Sequence, residues 1–201
     1  MRLATTLTDK LHKEKIIQCD EMDVVHYGLE YLEMNFLGVL LTLLVGFLHG
    51  KMQEALILWI AMFPLRKNAG GFHANTRKSC FLISFIVLFL AFSILCKIQW
   101  SGSVLWLVRT LTWAIIFCLA PVECFNKQLE ELEKKKYGKR TRIVLLVEVV
   151  LSIVAYLFHL NSLLRGLTMC FSIIAVSLLA GKVKFLILKK RIIGAEAYYL
   201  E

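Results

Sequence analysis

Hydrophobic positions are gathered into six runs, at residues 36–48, 55–65, 81–96, 104–121, 143–160 and 163–181. A membrane-crossing helix needs roughly 20 mostly apolar residues, within a range of about 17–25. The last four runs meet or approach that length, the first is marginal and the second is short. The short pair could form a re-entrant hairpin. The charge pattern below favours an even count, so both are read as spans whose ends extend into polar residues. The expected fold is an all-α, polytopic membrane helix bundle of about six transmembrane helices. Ahead of it, Leu3, Leu7, Leu11, Ile16 and Ile17 recur at roughly helical spacing, with Lys10, Lys13 and Lys15 between them. That spacing predicts an N-terminal amphipathic cytosolic helix, either on the membrane surface or plainly solvated. Residues 1–33 carry Asp9, Glu14, Asp20, Glu21, Asp23, Glu30 and Glu33 and no long apolar stretch, which excludes a signal peptide.

Composition agrees with membrane residence. Hydrophobic residues make up 58% of the 201 and mean hydropathy is +0.67, against about 45–50% apolar in soluble domains. A net charge of +9 sits oddly beside this until its placement is read. Residues 1–33 hold four Lys/Arg, 66–79 four, 125–142 seven and the stretch from Lys182 five, whereas the intervening turns hold only Lys51 and Lys97. Lys and Arg gather in cytoplasmic loops. The expected organisation is therefore a cytosolic segment 1–33, a six-span membrane domain 34–184 and a cytosolic tail 185–201, with cytosolic loops at 66–80 and 125–142. Both termini face the cytoplasm. The charge is a topology signal, and nucleic-acid binding is excluded as its explanation because every basic segment abuts a span. The most polar stretch, 126–142, reads as a loop with a helical turn near 129–136. It is either a lipid-facing basic surface or a docking surface for an acidic partner. Arg109, Glu148 and Arg165 fall inside apolar runs, where charges are expensive and usually paired or functional. Glu148 and Arg165 could pair with each other, elsewhere in the bundle or across a subunit interface.

The six cysteines contain no C-x-x-C pair, and the histidines show no metal-ligand spacing, so neither a metal nor a cofactor is expected. His73 and Cys80 stand apart. They lie in a cationic loop, Arg66-Lys67-Asn68-Ala69-Gly70-Gly71-Phe72-His73-Ala74-Asn75-Thr76-Arg77-Lys78-Ser79-Cys80, that enters the third apolar run. A thiol at a helix N-terminus has its thiolate favoured by the helix dipole, and a nearby histidine can serve as its base. On a straight helix, residues seven apart are about 10.5 Å apart along the axis, too far for proton transfer. A catalytic pair therefore requires 74–79 to depart from plain helix, and Gly70-Gly71 makes a turn accessible. The alternative is an ordinary loop with two bystanders.

Read whole, the pattern Arg66-x-x-x-Gly70-Gly71-x-His73-Ala74…Cys80 resembles the accessory gene regulator B (AgrB) family of bacterial membrane peptidases. Ala120-Pro121 followed by Asn126-Lys127, and a basic 134–142 segment with Tyr137-Gly138, agree. The resemblance covers roughly residues 30–185. One departure is Gln128, where the family usually has a proline shortly after Asn-Lys.

The resemblance implies Cys80 as nucleophile and His73 as general base and acid. The implied substrate is an AgrD-type precursor peptide, cut at its C-terminal tail and released from a thioester as a thiolactone or lactone for quorum sensing. Supporting residues on this reading are Arg66, Gly70, Gly71 and Glu123. Arg66 would orient the precursor, pair with Glu123 or merely anchor the topology, and amides at Gly71 or Cys80 would form an oxyanion hole. Candidate third members are Asn68, Asn75, Glu123 and Asn126. Lys134, Lys135, Lys136 and Arg140 would dock substrate or anionic lipid, and a homodimer is the expected assembly. Two other classes remain: a secondary peptide exporter, since no P-loop is present, and a non-catalytic membrane scaffold acting through 126–142.

Overall fold

A computed structural model describes residues 2–72, 74, 76–97, 102–123 and 130–198. Among them lie seven α-helices: α1 (Arg2–Lys13), α2 (Met22–Leu48), α3 (Met52–Ala69), α4 (Arg77–Lys97), α5 (Gly102–Leu119), α6 (Glu131–Leu157) and α7 (Asn161–Tyr198). It divides into two compact units, residues 1–44 and 45–201.

In the first unit, α1 ends at Lys13 and Lys15 adopts a positive φ of 56°. Ile16 and Ile17 therefore lie in the turn and not on the amphipathic helix that their spacing predicts. Glu21 caps the next short turn by accepting the Gln18 N–H at 3.0 Å, and α2 starts at Met22. The 36–48 run is thus the second half of a helix whose first half carries polar residues. This resolves its marginal length, and it puts the 33/34 boundary inside α2.

Among the described residues, three helices are long and apolar enough to cross a bilayer, at Cys19–Leu48, Lys78–Lys97 and Asn161–Lys189, while Ser103–Leu119 is apolar but shorter. α3 is 18 residues and carries Glu54, Arg66 and Lys67. At 1.5 Å per residue it extends about 27 Å, close to a hydrocarbon core of about 30 Å. α6 begins with the basic stretch and runs without a break into the apolar one. The expected 125–142 loop is therefore largely helix, with Glu133 capping it at the Glu130 N–H (3.4 Å). α7 continues helically through most of the expected tail.

Within the second unit, α7 is the element that the others pack upon. Gly166 faces the start of α3, where an added Cβ would sit 2.7 Å from Ile57 Cγ2 and 3.3 Å from Glu54 O. Gly181 faces the segment just past the end of α3. The two helices therefore run side by side in the same direction. α5 lies parallel to α7 as well: Arg109 reaches Leu164 and Thr168, and Trp113 meets Phe171 edge-on at 5.7 Å. α6 runs antiparallel to α5, with Arg142 over Phe117 and Tyr156 against Trp106. α4 ends beside His49, which contacts Ser93 Oγ at 3.2 Å and the Phe89 and Phe92 rings. From α3 onward successive helices reverse direction, as alternating membrane passes require. A tight turn at His159 (φ 54°) serves this reversal between α6 and α7, and another at Gly50 (φ 64°), with Lys51 N–H donating to Gly46 O at 2.8 Å, precedes α3.

Intramembrane charge is placed differently from expectation. Arg165 Nε lies 3.9 Å from Glu54 Oε1, so its acidic partner is on α3 and the Glu148–Arg165 pair does not form. Glu148 is 4% exposed, and neither carboxylate oxygen has a hydrogen-bond partner among the described residues. Arg109 is fully buried. Its Nη2 donates to Leu164 O (2.7 Å) and Thr168 Oγ1 (2.9 Å), and the guanidinium stacks 5.2 Å from the Trp106 ring centroid.

Gly166→Val places two methyls where Ile57 and the Glu54 carbonyl sit. We expect it to lower stability by about 1–3 kcal/mol, the usual cost of overpacking, read as a fall in thermal midpoint in detergent. Gly28→Val, which meets nothing within 4 Å, is the control and should change little.

Candidate active site

The turn expected at Gly70-Gly71 is present. Gly70 has φ 72° and Gly71 φ 125°, values that side-chain-bearing residues avoid. Sterics agree with the backbone: a Cβ on Gly70 would collide with Val122 O, and one on Gly71 would fall 2.7 Å from Ser177 Oγ and also strike Arg66 Nη1. The turn is braced from one side by the strap 120–123. Val122 N–H donates to Ala69 O at 2.9 Å, and Val122 forms an isolated parallel bridge with Gly70.

From the other side it is braced by Arg66 and α7. Arg66 Nη1 donates to Gly70 O (3.1 Å) and to Ser177 Oγ, and Nη2 donates to Phe72 O (2.6 Å). Phe72 N–H donates to Ser177 O at 2.9 Å and lies 3.2 Å from Ser177 Oγ. Lys184 Nζ sits 5.1 Å from the Phe72 ring centroid. Ser177, Gly181 and Lys184 follow i, i+4, i+7 spacing and so share one face of α7. Sequence reasoning missed all three. A Ser-x-x-x-Gly pair in the last span was the available signal, but nothing in the chain links it to a loop over 100 residues earlier.

Cys80 is the fourth residue of α4 and is half-buried. Thr76 caps this helix: Ser79 N–H lies 3.2 Å from Thr76 Oγ1, and Cys80 N–H donates to Thr76 O at 3.0 Å. The cap places the thiol in the first turns of the helix, as expected. It also commits the Cys80 amide, so that N–H is not available as an oxyanion-hole donor. Residues 74 and 76 lie outside the helix, meeting the requirement that the His73–Cys80 interval not be plain helix. His73 itself, with Asn75 and Asn126, lies outside the described residues, and so do Asn126-Lys127 and Gln128 of the strap-to-α6 segment. Asn68 donates to Pro64 O at 2.8 Å within its own helix.

Glu123 Oε1 meets Lys134 Nζ at 3.2 Å, and Lys134 also meets Glu131 at 3.1 Å. Hydrogen bonding to Glu131, then to Glu123, raises the Lys134 pKa above its ordinary value. The basic face expected to dock a ligand is split by the helix. Lys134 and Lys135, with Lys139 and Arg142, line an open groove of about 680 Å³ floored by Pro121, Ile143 and Leu146. Lys136 and Arg140 are not among its lining residues.

One further thiol–imidazole contact lies in the first unit. Cys19 Sγ is 3.6 Å from His12 Nε2, and His12 Nδ1 is 3.3 Å from Ile17 O. The residues are seven apart, as His73 and Cys80 are, and the turn at Lys15 brings them together.

Helices of this length and apolarity, in alternating directions, define a polytopic helical membrane protein, and the braced Gly-Gly turn leading to a helix-start thiol is its distinguishing feature. The model of the accessory gene regulator B family matches residues 4–183, and the chain belongs to that family. It is similar to an AgrB-like protein of Clostridium perfringens strain SM101, 23% identical over 171 residues that cover 79% of this chain and 78% of the relative. A second AgrB-like protein, from strain 13 of the same species, is 22% identical over 168 residues, covering 80% and 78% respectively. No solved structure matches.

The raised Lys134 pKa has a sign that can be tested. Its ion pairs stabilise the strap fully below the ordinary lysine value, and that contribution is lost as pH rises through the raised value. In Lys134→Met the strap should lack this alkaline loss. Proteolysis of the 120–131 segment should therefore accelerate above pH 10.5 in the wild type and show no such step in the variant.

Proposed function

We propose that the protein is a membrane-bound cysteine endopeptidase of quorum-sensing peptide maturation, which cleaves an AgrD-type precursor and cyclises the product. The observation that carries this reading is Cys80, in the first turns of α4 at the exit of a braced Gly-Gly turn, in a chain of the AgrB family. Cys80 Sγ attacks the carbonyl at the junction between signal segment and C-terminal tail, and His73 takes the thiol proton. Collapse of the tetrahedral intermediate expels the tail amine, which leaves with the proton from His73. The signal segment stays on Cys80 as a thioester. A Cys or Ser side chain within the segment then attacks that thioester, its proton passes to the Cys80 thiolate by way of His73, and a thiolactone or lactone ring is released. The thioester keeps the acyl group reactive, so ring closure needs no nucleotide. Water must be kept from it, because hydrolysis gives a linear product. Both loops that would meet the precursor belong on the cytoplasmic side, and a homodimer in a membrane with anionic lipid is the proposed setting.

Purified protein in vesicles, given an AgrD-type precursor, should yield free tail and cyclic product by mass analysis. Cys80→Ala should yield none, and His73→Ala should fall about 10²–10⁴-fold, the usual range for general acid–base loss. Processing by Cys80→Ala at the wild-type rate overturns the mechanism. A thiol probe adds a second check, with Cys80 labelling faster than Cys96 or Cys118. Cys19 is unsuitable as the reference because His12 lies against it.

The buried Glu148 carboxylate, which has no hydrogen-bond partner among the described residues, is the feature that favours a secondary transporter as a second reading. That reading expects peptide export from sealed vesicles to persist in Cys80→Ser and His73→Ala and to stop in Glu148→Gln.

A further inference from the structure

We infer that Ser177 and Gly181 of α7 are positioning residues for the proposed reaction, acting through the backbone that carries His73. This rests on the peptidase reading above. Phe72 immediately precedes His73, and it is held at each of its three points of attachment. Its N–H is taken by Ser177 O (2.9 Å), its C=O by Arg66 Nη2 (2.6 Å), and its ring lies under Lys184 Nζ (5.1 Å). Ser177 also receives Arg66 Nη1 on its hydroxyl, so one side chain of α7 orients the arginine that in turn orients the loop. Arg66 is 111 residues from Ser177 in sequence, yet its guanidinium bridges Gly70 O, Phe72 O and Ser177 Oγ.

Gly181 completes the seat. A Cβ there would fall 2.7 Å from Gly71 C and 2.8 Å from Phe72 N. Both are backbone atoms, which no rotamer change can move aside. The loop therefore lies against α7 as closely as a helix without a side chain allows. A side chain at 181 must push the Gly71–Phe72 backbone away from α7, where Phe72 N–H bonds Ser177 O.

Such a seat fixes Phe72, the residue that precedes the proposed base in sequence, and makes no contact of its own with a precursor. A displacement of about 1 Å in a reacting group can cost about 100-fold in rate. Ser177→Ala removes the hydroxyl that holds Arg66 and leaves the rest of α7 unchanged. We expect kcat for precursor cleavage to fall about 10–100-fold with KM within about twofold. Ser177→Thr keeps the hydroxyl and should recover most of the rate, and Gly181→Ala should lose at least as much as Ser177→Ala. Because the residue acts through His73, adding Ser177→Ala to His73→Ala should cost little more than His73→Ala alone. A readout without precursor is the pH dependence of Cys80 alkylation, measured with the other cysteines replaced. Ser177→Ala should shift it in the same direction as His73→Ala does.

Unchanged kcat in Ser177→Ala, or a fully additive double variant, overturns the inference. So does a Ser177→Ala alkylation profile that matches the wild type. Failure here is distinct from failure of the peptidase reading: that reading falls if Cys80→Ala still processes precursor, whereas this inference can fall while Cys80→Ala stays inactive. Equal thermal midpoints in detergent for Ser177→Ala, Ser177→Thr and wild type separate positioning from loss of fold.

Discussion

Gly71 is buried and Gly70 and Phe72 are half-buried, so the non-helical backbone from Gly70 to Phe72 must find hydrogen-bond partners inside the protein. It finds them in α7, in Arg66 and in Val122. That requirement explains several otherwise unrelated features. α3 and α7 must run in the same direction, so that the end of α3 arrives beside Ser177. Glycines must stand at both ends of their shared face, Gly166 at the start of α3 and Gly181 past its end. A basic residue must lie one helical turn before Gly70, within reach of the two carbonyls of the turn. The helix that follows can then begin at a fixed place, with Thr76 as its cap and Cys80 on its first turns.

Much of this is legible in the sequence, but only where cause and effect are local. The apolar runs give the helices, since hydrophobicity at membrane length has few other solutions. Gly70-Gly71 gives the turn, because adjacent glycines before a helix supply positive φ. Cys80 at a helix start follows from the polar-to-apolar switch beside it. What fails is whatever depends on a distant neighbour. Ser177 and Gly181 look like ordinary small residues of a span, and their role depends on a loop that meets them only in three dimensions. The start of α2 is missed because a helix can carry polar residues well past the point where a hydropathy reading stops. The basic 126–142 stretch reads as a loop with a helical turn near 129–136, because dense charge by itself does not signal a continuous helix. Glu130 and Glu133 form a capping arrangement that begins a helix there instead.

Buried charge shows the same divide. The sequence flags Arg109, Glu148 and Arg165 as costly, which follows from residue type alone. Their fates differ because their neighbours differ. Arg165 has Glu54 within reach across α3 and α7. Arg109 has no acidic partner in its hydrogen-bond set and is held by a carbonyl, a threonine hydroxyl and an indole face. Those groups take up one edge and one face of its planar guanidinium, while the buried Nη1 has no hydrogen-bond partner among the described residues. Glu148 has no such company: Ser152, one turn away, donates its hydroxyl to the Glu148 main-chain carbonyl and not to the carboxylate.

The strap at 120–123 ties the basic helix to the same turn. Val122 is bonded to Ala69 and bridged to Gly70, and the next residue, Glu123, is paired with Lys134 on the first turn of α6. Four residues thus connect the Gly70 turn to a groove whose rim includes Lys134, Lys135, Lys139 and Arg142. Glu123, the carboxylate of that strap, pairs with Lys134, one of the four cations that line the groove. An acidic group entering there must either use Lys135, Lys139 and Arg142 or compete with Glu123 for Lys134. The first route leaves the strap in place. The second breaks the ion pair of Glu123, the residue next to the Val122 that bonds Ala69 and bridges Gly70.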